Sequence, residues 1–208
     1  MSTEKLTQEE IDRMMSELTQ APVAASTTIS QMESDIIGEV GNISMSQAAT
    51  TLSEILGHKV HITTPQVFVK SIREVIDAAV KPKIITSIGF KKGLTGNNLL
   101  LMDAQDSVII ANLMMGGDGQ VTSSELTELE LSAVGEAMNQ MMGSSATAMA
   151  TMLGKMIDIL PPEVHLVDDK EHFNVDIGVD NLNADVCLIA FQLEVEGILQ
   201  SEIMQVFT

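Results

Sequence analysis

The chain of 208 residues carries 29 acidic against 11 basic side chains, a formal net charge of -18, with no Trp, no Tyr, five Phe and fifteen Met. That balance argues against a nucleic-acid binder, which needs Lys and Arg against phosphates and aromatics against bases. It also disfavours an anionic membrane surface. With 45% hydrophobic residues the chain can bury a sizeable core, which has to be aliphatic and methionine-rich. Cys187 is the single cysteine, set in the apolar run 185–191, so an internal disulfide and a thiolate zinc cluster are both excluded. No apolar run approaches the roughly 18 residues of a membrane span, and the polar, acidic first ten residues differ from a signal peptide. A cytoplasmic protein is expected.

Residues 6–18, LTQEEIDRMMSEL, read as a short amphipathic helix. Thr7 and Glu10 fit a capping box, and Ile11, Met14, Met15 and Leu18 share one face. Residues 19–30 are small, polar and Pro-containing, the composition of a linker. A tethered helix with an apolar face is either a docking peptide for a partner's groove or a segment that packs back on its own domain, if it is not simply a frayed terminus. A long helix then spans 31–57 and stops at Gly57. Strands are expected at 59–63, 66–70, 83–91 and 96–103, followed by a shorter helix at 104–115 that stops at the Gly116-Gly-Asp-Gly119 turn. A second long helix begins near Ser124 and ends at Gly154. Strand signals recur at 156–160, 163–167, 173–179, 185–195 and 198–207.

The two halves share a plan. A shift of 97 positions superimposes Gly38 on Gly135, Glu39 on Glu136, Asn42 on Asn139, Met45 on Met142, Gly57 on Gly154 and Pro65 on Pro162. An internal duplication of a helix-plus-strands unit explains this most economically. It predicts one α/β (α+β) domain with pseudo-twofold symmetry, in which two long helices lie side by side on a mixed or antiparallel sheet drawn from both halves.

What survives in both copies is a pattern of Asp or Ser, three residues, Glu, two residues, Asn, and a Pro 23 positions further on: Asp35, Glu39, Asn42 and Pro65, then Ser132, Glu136, Asn139 and Pro162. Positions i, i+4 and i+7 share a helix face, so these side chains form a stripe about 10 Å long. Asn and Gly are poor mid-helix residues, and both helices accept them in the same register. Gly38 and Gly135 let another backbone approach, whether a neighbouring element or a partner protein. The stripe holds neither a conventional nucleophile nor a metal cage. Asp35 and Glu39 as an acid/base pair fail in copy two, where Ser132 replaces the carboxylate. A carboxamide has donor and acceptor atoms and can hold a water in one orientation, and a carboxylate can pair with a lysine. That inventory suits hydrolysis of an already labile phosphoryl bond, where positioning the water is most of the catalysis.

On these duplicated motifs residues 31–208 resemble the CheC/CheX/FliY family of bacterial chemotaxis phosphatases, and 6–18 is similar to the CheY-binding peptide of its flagellar switch members. Peptide plus two intact motifs looks most like the FliY branch, as does the Leu113–Gly119 segment. The resemblance implies a peptide at 1–18 (Leu6, Ile11, Asp12, Met14, Met15 and Leu18), a linker at 19–30, and a CheC-like domain with repeats at 31–120 and 121–208. It implies hydrolysis of the phospho-aspartate of the response regulator CheY at the flagellar motor. A scaffold that binds phosphorylated CheY without hydrolysis is the alternative. Asn42 and Asn139 would orient the water, Glu39 and Glu136 would pair with the regulator's lysine, and Asp35, Ser132, Pro65 and Pro162 would support them. No cofactor of its own is implied, the Mg²⁺ belonging to the regulator. The implied partners are CheY and the switch proteins FliM, FliN-like and FliG, and the implied location is the switch ring of the flagellar basal body. The FliY branch continues into a FliN-like domain, and this chain stops at Thr208 without one, so nothing in these residues argues for ring assembly.

The remaining signals are weaker. His58 and His61 are a pair without a third ligand, and His165 and His172 are scattered. The segment 89–96 lacks a P-loop ending and reads as a hairpin turn. Met138, Met141, Met142, Met149 and Met152 read as core.

Overall fold

The computed structural model describes residues 29–79, 81–121, 126–167 and 181–208. The segment 6–18, most of the linker and the strand expected at 173–179 lie outside the described residues.

Two 26-residue helices dominate, α1 (Gln31–Leu56) and, in the second half, a helix at Glu128–Leu153. Each bound of the second is the first shifted by 97. Ser30 and Thr127 are the N-caps, each accepting from the backbone N–H of Glu33 or Glu130 while that glutamate reaches back to the cap. This reciprocal box satisfies two of the orphan donors of a helix start. The hydrogen bonds hold the Glu33 and Glu130 carboxyls below the usual carboxylate range. Gly57 and Gly154, at φ 66° and 60°, close both helices in the left-handed conformation. The second helix therefore starts at Glu128, four residues after the start expected at Ser124, because Thr127 has the glutamate three residues on that completes a box.

Between the helices run β1 (Val60–Ile62), β2 (Gln66–Ser71), α2 (Ile72–Ala78), β3 (Lys83–Lys92), β4 (Asn97–Asp103) and α3 (Ala104–Met114). The second long helix is α4, followed by β5 (Asp158–Ile159), β6 (Glu163–Val167), β7 (Asp185–Val195) and β8 (Leu199–Phe207). The seven-residue α2 is absent from the sequence reading, although Ser71 and Glu74 form a third capping box.

All pairings in the eight-stranded sheet are antiparallel, in the order β1-β7-β8-β4-β3-β5, with β2 also on β7 and β6 also on β3. The halves exchange strands across the pseudo-twofold. β1 and β2 pair with β7 of the second half, and β5 and β6 pair with β3 of the first. Neither repeat completes its own sheet, so the duplication makes one folding unit.

Both faces of the sheet are covered. α1, α3 and α4 pack on one face, where Met45, Leu52, Met138 and Met142 meet Leu100, Met102 and Phe191. The short α2 covers the other with Ile72, Val75 and Ile76 against Leu99, Leu101 and Leu188. Alternate residues of β4 thus enter two cores, which is why 99–102 is a continuous apolar run and not an alternating one. Met138, Met141, Met142 and Met149 are buried and Met152 is 39% exposed; four of the five core assignments hold.

Candidate functional site

Asp35, Glu39 and Asn42 lie on a side of α1 distinct from its buried face, and Ser132, Glu136 and Asn139 on the equivalent side of α4. All six are exposed except Asn42, which is half-buried. The positions that do face the core between them are Gly41, Ser44 and Met45 on α1 and Val134, Ala137, Met138 and Met141 on α4. The helical period therefore places the polar stripe in solvent on a rigid element.

The glycines explain how the proline joins the stripe. A Cβ on Gly38 would stand 3.4 Å from Val67 Cγ2, and one on Gly135 would stand 3.3 Å from Val164 Cγ2. Val67 and Val164 are again 97 residues apart, on β2 and β6 directly after the two prolines. Of the two approaches that the glycines allow, it is the chain's own strand that uses them. Close packing of strand on helix brings Thr64 and Pro65 beside Glu39 and Asn42. The result is an open groove of about 250 Å³ lined by Ser34, Asp35, Glu39, Asn42, Thr64 and Pro65. In copy two, Pro162 ends the connection into β6, and the Gly135–Val164 contact repeats the arrangement.

The copies differ in how their carboxylates are engaged. Glu136 accepts a hydrogen bond from Gln140 Nε2 at 2.6 Å, and Asp35 accepts one from Gln31 Nε2 at 2.7 Å. Position 43, equivalent to Gln140, is Ile, 38% exposed. Among the described residues no side chain bonds Glu39, which leaves that carboxylate open to a partner's cation. The Asn42 and Asn139 amides likewise have no side-chain partner among the described residues.

Other candidates separate. His58 and His61 are exposed, the first beside the αL cap of α1 and the second on β1, while His165 is on β6 and His172 lies outside the described residues. Among the described residues no three His, Cys, Asp or Glu side chains come together. The 89–96 segment is the β3–β4 hairpin, and Gly116-Gly-Asp-Gly119 ends α3 as a turn in which Gly119 N–H donates to Asn112 Oδ1 at 2.8 Å. Among the described residues no helix is long and apolar enough to cross a membrane.

The fold and site define a class: a strand-exchanged duplicated α+β domain presenting two carboxylate–amide stripes on its paired long helices. The CheC-like family model matches this chain twice, at residues 32–69 and 129–166. Those spans are offset by the same 97 positions and contain every residue of both stripes and both prolines. The crystal structure of Thermotoga maritima FliY superposes with a TM-score of 0.80 at 43% identity, over 87% of this chain and 92% of that one. The flagellar motor switch phosphatase FliY of Bacillus subtilis is 42% identical over 213 residues, covering 100% of this chain and 55% of the relative. The CheY-P phosphatase CheX of Thermotoga maritima is 35% identical over 81 residues, 39% of this chain and 50% of the relative. A FliG–FliM complex structure from H. pylori shares the fold at TM-score 0.71 and 12% identity. The chain belongs to the CheC-like family. It spans about half the length of the Bacillus and Thermotoga relatives named as phosphatases.

Proposed function

We propose that this domain is a protein phosphatase that removes the phosphoryl group from the phospho-aspartate of a CheY-type response regulator. The observation that carries the reading is the repetition of Glu and Asn, in one register and on the solvent face, beside a proline-bearing strand that glycine draws onto the helix. A packing device would not keep two polar residues pointing into water in both copies.

An acyl phosphate is already labile, so the catalyst's task is to hold a water in line with the scissile bond. The Asn42 or Asn139 carboxamide accepts a hydrogen bond from the attacking water through its oxygen and donates through its nitrogen, which fixes the water's lone pair toward phosphorus. Water oxygen bonds to phosphorus as the bond to the aspartyl oxygen breaks. The bonding electrons leave on the carboxylate, and phosphate departs with the water's oxygen. Glu39 or Glu136 pairs with a lysine on the regulator and sets the docking register. In this reading the Mg²⁺ is carried by the regulator, and the net charge of -18 needs only a local cation on the partner.

The alternative, a scaffold that binds without hydrolysis, gains support from the names of the flagellar switch relatives and from no feature of the site. FliM, FliN-like and FliG partners and a place at the flagellar motor belong to the same reading, and 6–18 would raise the local concentration of the regulator. The test is steady-state dephosphorylation of phosphorylated CheY by the full chain. Glu39→Ala with Glu136→Ala should raise KM more than it lowers kcat. An unchanged KM would remove the glutamates from the docking contact.

A further inference from the structure

The pseudo-twofold is also broken away from the polar stripes. Between the start of α1 and the end of α4 lies a groove of about 220 Å³ lined by Ile36, Val40, Leu94, Met149, Leu153 and Cys187, with Gly41 and Ser44 on its floor. The one hydroxyl there, Ser44 Oγ, donates to the Gly41 carbonyl at 3.1 Å and leaves the floor apolar. Shifted by 97, Gly41 becomes Met138 and Ser44 becomes Met141, both buried, while Met149 and Leu153 become Leu52 and Leu56. That twin site is filled. Its residues share a core cluster with Ile110, Ala111 and Leu113 of α3, which packs against α4. The groove is an apolar seat for a few side chains, with its floor cleared and its rim enlarged, Ile36 and Val40 standing where the twin has Ala133 and Ala137.

We infer that residues 6–18 of the same chain occupy this seat, docking as a helix in the place equivalent to that of α3. Three observations carry it. The first is pattern: α3 buries Ala104, Ser107, Val108, Ile110, Ala111 and Leu113, a stripe that includes the i, i+3, i+4, i+7 spacing of Ile11, Met14, Met15 and Leu18. The second is reach. Ile36 lies six residues beyond the Ser30 cap, about 9 Å along α1 at 1.5 Å per residue. The linker from Thr19 to Ile29 spans roughly 20 Å on average as a flexible chain. The third is charge. Segment 6–18 carries Glu9, Glu10, Asp12 and Glu17 against Arg13. Lys92 and Lys155, both exposed, lie two residues in sequence from the lining Leu94 and Leu153, where the β3–β4 turn abuts the exit of α4: a Cβ on Gly93 would fall 2.3 Å from the Met156 carbonyl oxygen, and Lys91 nearby in sequence is already paired with Asp158 at 3.9 Å. Docking in cis makes the segment unavailable to any partner until it is released.

The groove contains its own reporter, since Cys187 is the only cysteine. Maleimide alkylation of the native full chain at one fixed pH measures how often the groove is open, with no regulator in the assay, so the outcome is independent of the phosphatase reading. Ile11→Asp with Met15→Asp should raise the alkylation rate about five-fold, the factor for a seat open about a fifth of the time. Ser16→Ala, on the opposite face, should leave it unchanged, and a synthetic 6–18 peptide should slow alkylation of the double variant. Wild-type rates in the double variant, or an equal rise in Ser16→Ala, would overturn the inference. Protection that disappears on dilution would overturn it in favour of a second copy of the chain. Thermal unfolding of the double variant, expected to match the wild type, separates release of the segment from loss of folding; a lowered unfolding temperature together with the faster alkylation would overturn the inference.

Discussion

The asymmetry at Gln140 yields a prediction about which stripe works faster. In copy two the Glu136 carboxylate is held by Gln140 at 2.6 Å, and a partner's lysine has to displace that amide; in copy one Ile43 leaves Glu39 free. A Gln–carboxylate pair at i, i+4 on an exposed helix is worth about 0.2–0.5 kcal/mol, so releasing it should improve partner association about 1.4- to 2.3-fold. Asn42→Ala isolates copy two, and adding Gln140→Ala should raise kcat/KM by that factor, expressed in KM. The mirror experiment isolates copy one with Asn139→Ala, where Ile43→Gln should lower kcat/KM by the same factor. The assay is phosphate release against regulator concentration. A fall in kcat/KM on Gln140→Ala would refute the reasoning, because the amide would then be positioning Glu136 and not competing for it.

Two predictions concern what holds the stripes in place. Met45 is fully buried at the helix–sheet core, so Met45→Ala should cost about 2–5 kcal/mol in urea unfolding, whereas Met45→Leu, which conserves volume, should cost less than about 1.5 kcal/mol; equal costs would contradict a packed methionine core. Asp103 precedes α3 at the N-cap position without a side-chain cap bond, and its carboxylate pairs with Lys83, and with Lys81 at 3.4 Å. Burial raises its pKa, but the Lys83 and Lys81 contacts outweigh burial and hold it below the usual carboxylate range. A depressed folded-state pKa gives stability that is present above the unfolded value and lost as pH falls through the folded one. Asp103→Asn should therefore cost about 1.5–3 kcal/mol at neutral pH and flatten the acid limb of the stability profile. An unchanged limb would remove the pair from the account.

Much of this arrangement could be read before any coordinates. The 97-residue shift gave both long helices, both αL glycines and the polar stripes, because helix period and spacing are local properties. β7 was bounded as the structure has it, since its apolar run is long and closed by turn residues. The start of α4 was misplaced because hydroxyls at 122–124 and at Thr127 all offer caps. Applying the same shift to Ser30 and Glu33 would have selected Thr127 and Glu130. Seven-residue α2 is too short for a periodicity window, and its Ser71–Glu74 box was the available signal. Strand exchange was not legible, because β1 and β2 pair with a strand more than a hundred residues away and nothing local fixes that register. The part played by Gly38 and Gly135 depended on the same pairing. The groove was written in the sequence as Gly41 and Ser44 opposite Met138 and Met141, and only the place of α3 gives that difference a meaning.

The central claim is that the asparagines of two repeated stripes each orient a hydrolytic water. Phosphate release from phosphorylated CheY, measured with the full chain, Asn42→Ala, Asn139→Ala and the double variant, tests it most directly. The account predicts that each single variant keeps the turnover of the remaining stripe and that the double variant falls to the regulator's own rate of phosphate loss, with its thermal unfolding unchanged. Activity undiminished in the folded double variant would contradict it.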